Sequence, residues 1–528
     1  MQDIDTSSDT ANRAVDPIIQ VGAAQLAHRI ASGDVSSVEV VESFVARIQE
    51  VDSKLNAVVI PLFHSALEHA RKADEAVRRG EPLGPLHGVP ITIKECFHVE
   101  GTDSTIGLSK RVGVHDKKDG LLVQRLKTAG AIPIGKTNLP QLMLCHENDN
   151  PVYGRTNNPW NQDRGPGGSS GGEAAIIAAG GSPLGLASDI GGSIRQPCHS
   201  CGIHGIKPTS GRLSRRGFTS GQQGMEAVLI QPGPMARRVE DLTLGLRVMS
   251  TPVDGRRDPL ESQTAIGDPA DVDVSALRIA AWTDDGFFPA SPSIKRAVRE
   301  AAETLSSLGA KVESFIPPDI EEAVELYLSL MSADGGASLK RCLRGSKVDW
   351  RISRLLQTAM PPRLVRPALI RTLRLLGQGE TARLVAATFT RSVDEYWQLI
   401  HRRNEYTQGF LQALDEENFD AMLFPPHALP ALPHDSAVYL INAGSYCFLA
   451  NLLGIPSGVV STSRVLSDEQ ESRPPSRDFV NKLAIKADKQ SEGLPVGVQV
   501  AARHWREDIV LAIMAKLESA FPIKPFPI

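Results

Sequence analysis

Lys94 closes the apolar run Val89-Pro90-Ile91-Thr92-Ile93, so its ammonium stands at the rim of whatever core that run enters. Desolvation lowers a lysine pKa from about 10.4, and a lysine that has shed its proton can act as a base. The competing reading is a strand-end lysine whose head reaches water, and the run by itself favours it. Two serine-bearing glycine clusters follow, Gly165-Pro166-Gly167-Gly168-Ser169-Ser170-Gly171-Gly172 and Asp189-Ile190-Gly191-Gly192-Ser193-Ile194-Arg195. Glycines weaken helices and strands, so their concentration points to backbone that approaches a ligand or takes unusual dihedrals; a pair of flexible loops is the alternative. The first cluster runs into the helical pattern Glu173 to Ala179, and a helix N-terminus offers unpaired N–H groups to negative charge.

Other chemistries fit less well. Gly167-Gly168-Ser169-Ser170-Gly171 satisfies the Gly-x-Ser-x-Gly form of a nucleophile elbow, but the turn-rich Asn157 to Pro166 precedes it where a strand is required. No Gly-Lys-Ser/Thr ending follows, as a phosphate-binding loop needs. Cys198-His199-Ser200-Cys201 with His204 offers soft ligands but lacks the separated second pair of a structural zinc site. His64, Glu68 and His69 read as a solvated helix face.

These residues need a scaffold, and the chain has the pattern of one. Ser36-Ser37-Val38-Glu39 is a capping box opening an amphipathic helix through Val51. Short apolar runs then alternate with helical patterns: Val89 to Ile93, Ala131 to Ile134, Leu184 to Ala187, Leu277 to Ala281, Ala421 to Phe424, Gly458 to Val460 and Val496 to Val500. That alternation predicts an α/β fold, a single large domain whose mixed, mostly parallel twisted sheet is covered by helices on both faces. Residues 1–20 are expected to form a disordered tail. The uncharged stretch Ser436 to Ser463 is long enough to span a bilayer, but its Asn, Ser, Gly and Pro residues favour a buried helix followed by a buried strand. Leu466 to Glu492 reads as a surface excursion.

Across 528 residues, 41 % hydrophobic and 22 % charged residues exclude wholesale disorder and a coiled-coil rod. Lys and Arg number 57 against 61 Asp and Glu, which excludes a chain-wide electrostatic grip on nucleic acid. Six scattered cysteines are no disulfide framework, so a reducing compartment is expected. The acidic, polar first residues carry no signal-peptide pattern, and the expected location is the cytoplasm.

Gly88-Val89-Pro90-Ile91-Thr92-Ile93-Lys94, the two glycine clusters and Gly205-Ile206-Lys207-Pro208-Thr209, in this order, resemble the amidase signature family. Lys94-Glu95-Cys96-Phe97, Asp103 to Ser109, Gly180 to Leu186 and Gly233-Pro234-Met235-Ala236-Arg237 look like its fatty-acid amide hydrolases in particular. The resemblance implies a Ser-Ser-Lys triad with Ser193 as nucleophile, Ser169 as bridge and Lys94 as general base. It also implies a cis Gly168–Ser169 peptide and an oxyanion hole of the Ile190, Gly191, Gly192 and Ser193 N–H groups. Ser170 and Asp189 would support the network. Met143, Leu144, Ile190, Cys447 and Phe448 would line an acyl channel, with ordinary core packing as the alternative for each. His146 and Cys447 depart from the mammalian pattern, which has phenylalanine and threonine there. The implied partner is a lipid amide substrate, without cofactor, metal or nucleic acid, and a homodimer is the expected assembly. Alternatives within the family are the amidase subunit of a tRNA-dependent amidotransferase and an amidase for small aryl or aliphatic amides. A binding module with a relic site is disfavoured because all three triad residues are present.

Between Arg351 and Gly379 there is no acid, while Arg351, Arg354, Arg363, Arg366, Arg371 and Arg374 interleave with Leu, Ile and Val. Two short helices broken at Pro361-Pro362, within a helical insertion spanning 347–392, would carry apolar faces flanked by arginine. This is the pattern of an interface-lying membrane cap with peripheral contact through 351–379. A hairpin packed on its own core or on a second subunit is the alternative.

Overall fold

The computed structural model describes residues 16–252, 258–359, 361–471, 473–522 and 525–528. Strands β1 (Val58–Pro61), β2 (Pro90–Lys94), β3 (Ile132–Thr137), β4 (Leu184–Asp189), β5 (His204–Lys207), β6 (Gln231–Ala236), β7 (Arg278–Ala281), β8 (Lys311–Ser314), β9 (Ala421–Phe424), β10 (Ser457–Arg464) and β11 (Pro495–Ala502) form one eleven-stranded sheet. Its order is β1-β3-β2-β4-β6-β5-β10-β11-β9-β7-β8. Parallel pairing occupies two blocks, β3-β2-β4 and β9-β7-β8, and the strands joining them pair antiparallel. Buried apolar runs locate such strands but do not carry their direction. The central strands β2, β3, β4, β6 and β11 are buried along their whole length. The edge strand β8 is short and charged through Lys311 and Glu313, which discourages further pairing.

Helices Val239–Ser250, Pro292–Ser307 and Glu507–Ala520 pack on the sheet and against one another. Gly171–Ala178 and Arg195–Cys201 also pack together and on it, and every residue of both is buried. The capping box is present, with Ser36 Oγ accepting from Glu39 N at 3.1 Å. The stretch 436–463 holds the buried helix Ser445–Leu453 followed by β10. Among the described residues no helix is long and apolar enough to cross a membrane. Of the expected disordered tail, residues 1–15 lie outside the described residues. Pro17–Gln20 instead form a 3₁₀ turn with Ile19 buried, because Asp16 accepts from Ile18 N at 2.9 Å.

Two features of this frame position chemistry. Strands β2 and β4 run parallel with Thr92 opposite Gly185 and Ile93 opposite Leu186, so their C-terminal ends, Lys94 and Asp189, emerge at one edge of the sheet. That edge is where ligands bind in open α/β sheets. The second feature is a cap of three short helices, Trp350–Ala359, Arg366–Leu375 and Gly379–Ala387. Two of its arginines do not face outward as the sequence pattern suggested. Arg351 is buried and pairs with Asp349 at 2.9 Å, Asp149 at 2.8 Å and Asp435 at 2.5 Å, with Glu147 3.6 Å away. Arg366 is also buried; it donates to the carbonyls of Val385 and Thr388, and to that of Thr358 at 3.2 Å, knitting the three helices together.

Removing one partner of a buried ion network leaves the others uncompensated, at about 3 to 5 kcal/mol. Arg351→Met is therefore expected to lower thermal stability, and limited proteolysis of the variant should cut first within 350–387 while the sheet remains protected. Cleavage no faster than in the unmodified protein would show that the cap does not depend on this anchor.

Candidate active site

At the C-terminal end of β2 the Lys94 side chain is fully buried. Its Nζ lies 2.7 Å from Ser169 Oγ, 2.9 Å from Ser170 Oγ and 3.1 Å from Ser188 Oγ. Burial among neutral hydroxyls brings its pKa down to about 8, with Cys96, Asp189 and Glu173 opposing the fall. The solvated strand-end lysine that the apolar run favoured is therefore not what forms. Ser169 follows a cis peptide bond from Gly168, and Ser170 stands at the N-cap position of the helix Gly171–Ala178, its hydroxyl donating instead to Ser188 O at 3.2 Å.

Ser193 sits on the loop leaving β4, and that loop is wound around the carboxylate of Asp189. Asp189 Oδ1 accepts from Gly192 N at 2.8 Å and from Asn451 Nδ2 at 2.9 Å; Oδ2 accepts from Ile194 N at 3.0 Å. Arg195 closes the ring with both Nε and Nη2 at 3.0 Å from the carboxylate, and its Nη1 donates to Gln499 Oε1 at 2.8 Å. Burial opposes ionisation of Asp189, but the Arg195 guanidinium and the converging donors hold its carboxyl well below the usual range. Of the four N–H groups expected to face an oxyanion, Gly192 is thus already committed to Asp189. Those of Ile190, Gly191 and Ser193 have no partner among the described residues.

A cavity of about 180 Å³ opens beside Ser193. Met143, Leu144, Ile190 and Phe448 line it, joined by Leu328, Met331 and, from the cap, Leu355, Leu356 and Leu384. Ser169, Ser188 and Ser193 share an adjoining smaller pocket with Leu142. Leu142, Met143 and Cys145 hold φ of 57°, 58° and 88°, a left-handed conformation that side-chain-bearing residues seldom adopt, and such residues cluster at functional sites. Cys447 is a correction: it does not line the cavity but is buried behind Gly192, its thiol donating to Pro426 O at 2.9 Å. A residue of that size on the hidden side of the loop governs packing rather than substrate contact.

Sequence reasoning did not anticipate Arg195 and Asn451 as the collar around Asp189, Gln499 as the acceptor behind Arg195, nor Tyr327 as a cavity residue. Tyr327 stacks on Phe448 with ring centroids 4.3 Å apart and planes 8° from parallel. Only Arg195 lay within a motif where its position could have signalled the role. Around Cys198, the His199 ring nitrogens are occupied by backbone, Nε2 at 3.1 Å from Leu429 O and Nδ1 at 3.1 Å from Gly497 N.

If the Asp189 ring shapes the loop, Asp189→Asn should lower turnover by at least about tenfold, since one charge-assisted bond is worth about 1.5 to 3 kcal/mol. Because the folded carboxyl titrates below its unfolded value, the stability it contributes is complete above about pH 4 and fades as acid reaches the depressed pKa. The unmodified protein should thus lose stability in acid more steeply than the variant, as read by denaturation midpoints from pH 7 down to 3.

The chain is similar to known proteins over most of its length. The family model described as Amidase matches residues 39–511. Fatty-acid amide hydrolase 1 of Sus scrofa is 35 % identical over 499 residues, covering 94 % of this chain and 84 % of that protein. Fatty acid amide hydrolase 1 of Caenorhabditis elegans is 32 % identical over 502 residues, covering 94 % and 87 %. A solved fatty acid amide hydrolase superposes with a TM-score of 0.80 at 26 % identity, over 95 % of this chain and 85 % of that one. The chain belongs to the amidase signature family and is an amide hydrolase.

Proposed function

We propose that the protein hydrolyses fatty-acid amides, and esters of the same acids, with Ser193 as nucleophile, Lys94 as general base and Ser169 relaying protons between them. The observation that carries this reading is a fully buried lysine, its pKa lowered by that burial, 2.7 Å from a serine that shares a pocket with Ser193 beside an apolar cavity. Neutral Lys94 takes the Ser169 proton as Ser169 takes that of Ser193, and Ser193 Oγ attacks the carbonyl carbon. The carbonyl π pair moves to oxygen, where the Ile190, Gly191 and Ser193 N–H groups receive the charge. As the C–N bond breaks, the proton returns from Lys94 through Ser169 to the leaving amine. Water, deprotonated by the same relay, then releases the acid from the acyl-enzyme.

Above its pKa Lys94 is neutral and able to accept a proton, so acylation should rise with pH through a midpoint near 8 and level off above it. Lys94→Ala should cost about 10²- to 10⁴-fold near neutrality and recover partly in alkali, where hydroxide substitutes for the base. A loss independent of pH would leave Lys94 a structural residue. Ser193→Ala should abolish both turnover and labelling by a fluorophosphonate, read as an intact-mass shift. Lengthening the acyl chain should raise kcat/KM by up to about fourfold per methylene, the equivalent of about 0.8 kcal/mol each. A flat rate from acetyl to oleoyl amides would remove the lipid reading and leave an amidase of small substrates.

The substrate route we propose runs through the cap. Its inner side supplies Leu355 and Leu356 to the cavity, while outside Leu364 is 95 %, Leu375 79 % and Leu376 65 % exposed beside the exposed Arg371 and Arg374. Such a patch suits a reversible hold on anionic lipid, each arginine contributing about 1 kcal/mol. The protein should float with anionic liposomes at low salt, less so at high salt, and least as Arg371→Glu with Arg374→Glu, whose activity on a short soluble amide is unchanged. Light scattering of the same samples tests the expected homodimer: a dimer dissociated by Leu364→Glu, with no flotation of the unmodified protein, would assign the patch to a second copy instead.

A further inference from the structure

The loop that carries Ser193 is gripped by two cavity-lining side chains belonging to none of the motifs. The Tyr327 hydroxyl donates to Ile190 O at 3.3 Å, and His146 donates through Nε2–H to Gly191 O at 2.8 Å. Burial holds Tyr327 as a phenol and His146 as a neutral ring, so each has a hydrogen to donate. Each accepting carbonyl shares a peptide group with the next N–H, and a bond accepted at the oxygen polarises that N–H. The Ile190 carbonyl shares its peptide with Gly191 N–H, one of the three N–H groups without a partner. The Gly191 carbonyl shares its peptide with Gly192 N–H, which Asp189 already holds at 2.8 Å. The second peptide is therefore fixed at both ends, and the first is fixed at its oxygen while its N–H has no acceptor among the described residues.

The fit leaves no slack. A Cβ on Gly191 would stand 2.1 Å from the Tyr327 oxygen, and one on Gly192 2.6 Å from Cys447 Sγ and 3.3 Å from His146 Nε2. Tyr327 is steadied by its stacking on Phe448, and His146 stands edge-on to the buried His427 ring with centroids 5.6 Å apart. We propose that Tyr327 and His146 are positioning residues of the oxyanion-binding loop: by fixing the Ile190–Gly191 and Gly191–Gly192 peptide planes they aim the unpaired N–H groups at the charge that develops on the substrate oxygen. The inference rests on the reading of Ser193 as nucleophile.

Three variants separate the hydrogen bonds from the bulk of the rings. Tyr327→Phe removes one oxygen, His146→Phe removes the donor and keeps a ring, and His146→Gln returns an N–H at similar reach. Tyr327→Phe and His146→Phe should each lower kcat by about 3- to 10-fold, the worth of one hydrogen bond, with KM within about twofold of the unmodified enzyme. His146→Gln should recover most of that loss. A long-chain trifluoromethyl ketone, to which Ser193 Oγ adds while the carbonyl pair becomes an oxyanion, should lose affinity by the same factor as kcat. The unreactive secondary alcohol of the same chain should bind unchanged. Unaltered kcat, a loss confined to KM and matched by weaker alcohol binding, or a His146→Gln as slow as His146→Phe would each overturn the proposal. Ser193→Ala is measured alongside: turnover there would overturn the nucleophile itself, whereas a dead Ser193→Ala with unaffected Tyr327 and His146 variants would overturn only the positioning role.

Discussion

The withdrawal of Lys94 from water is the constraint to which the rest of the site answers. An ammonium group without solvent needs either a counter-charge, which would keep its proton, or a surrounding that lets the proton leave. The protein supplies hydroxyls: Ser169, Ser170 and Ser188. Two carboxylates, Asp189 and Glu173, favour the protonated form, and each is dealt with differently. Asp189 is ionised, but its charge is matched by Arg195. Glu173, beneath the strands with Thr92 and Thr137 donating to it, has its pKa pushed up to about 7 by its own burial, so much of its charge is absent near neutrality. The site thereby holds a lysine whose pKa is lowered to about 8, which suits the general-base role proposed for it.

The Asp189–Arg195 pair is fully buried, and such a pair is weak evidence for stability, since taking two charges out of water costs about as much as their attraction returns. What it provides is shape. A carboxylate that collects the Gly192 and Ile194 N–H groups, Asn451 and Arg195 at once bends the loop leaving β4 into a turn whose remaining N–H groups face away from it. The parallel neighbours β2 and β4 then set the distance between base and loop, because both side chains leave the sheet at the same edge. The spacing of Lys94 from that loop is in this sense a property of strand register: slipping β2 by one residue would turn Lys94 to the opposite face.

The sequence carries these features unevenly. Each apolar run marks a strand, and the glycine clusters mark the loops that bear Ser169 and Ser193. Strand β6, Gln231–Ala236, was not legible, because its prolines at 232 and 234 and Gly233 argue against a strand while its pairing to β4 over the full length overrides them. The role of Lys94 was not legible from its own run, since its burial is created by serines 75 and more positions away. Only the ordered set of motifs pointed to a base. Arg351 misled for the same reason: an arginine on an amphipathic helix looks solvated until Glu147, Asp149 and Asp435, all distant in sequence, close on it. Cys447 shows the limit of assigning residues by position, since its thiol meets the Gly192 backbone while the flanking Gly191 and Ser193 meet the cavity.

The segment 142–149 joins what would otherwise be separate tasks. Its left-handed residues carry Met143 and Leu144 into the cavity, His146 bonds the loop of Ser193, and Glu147 and Asp149 receive Arg351 from the first cap helix. That helix in turn contributes Leu355 and Leu356 to the cavity wall. Under the proposed function, an acyl chain filling the cavity would press on the cap and on this segment together, and both lead within a few residues to the peptide planes beside Ser193. Interiors packed without voids transmit such displacements rather than absorb them. Binding far from the reacting carbon can thus be expressed in the aim of the N–H donors, which is the means by which remote binding energy comes to favour a transition state over a bound substrate.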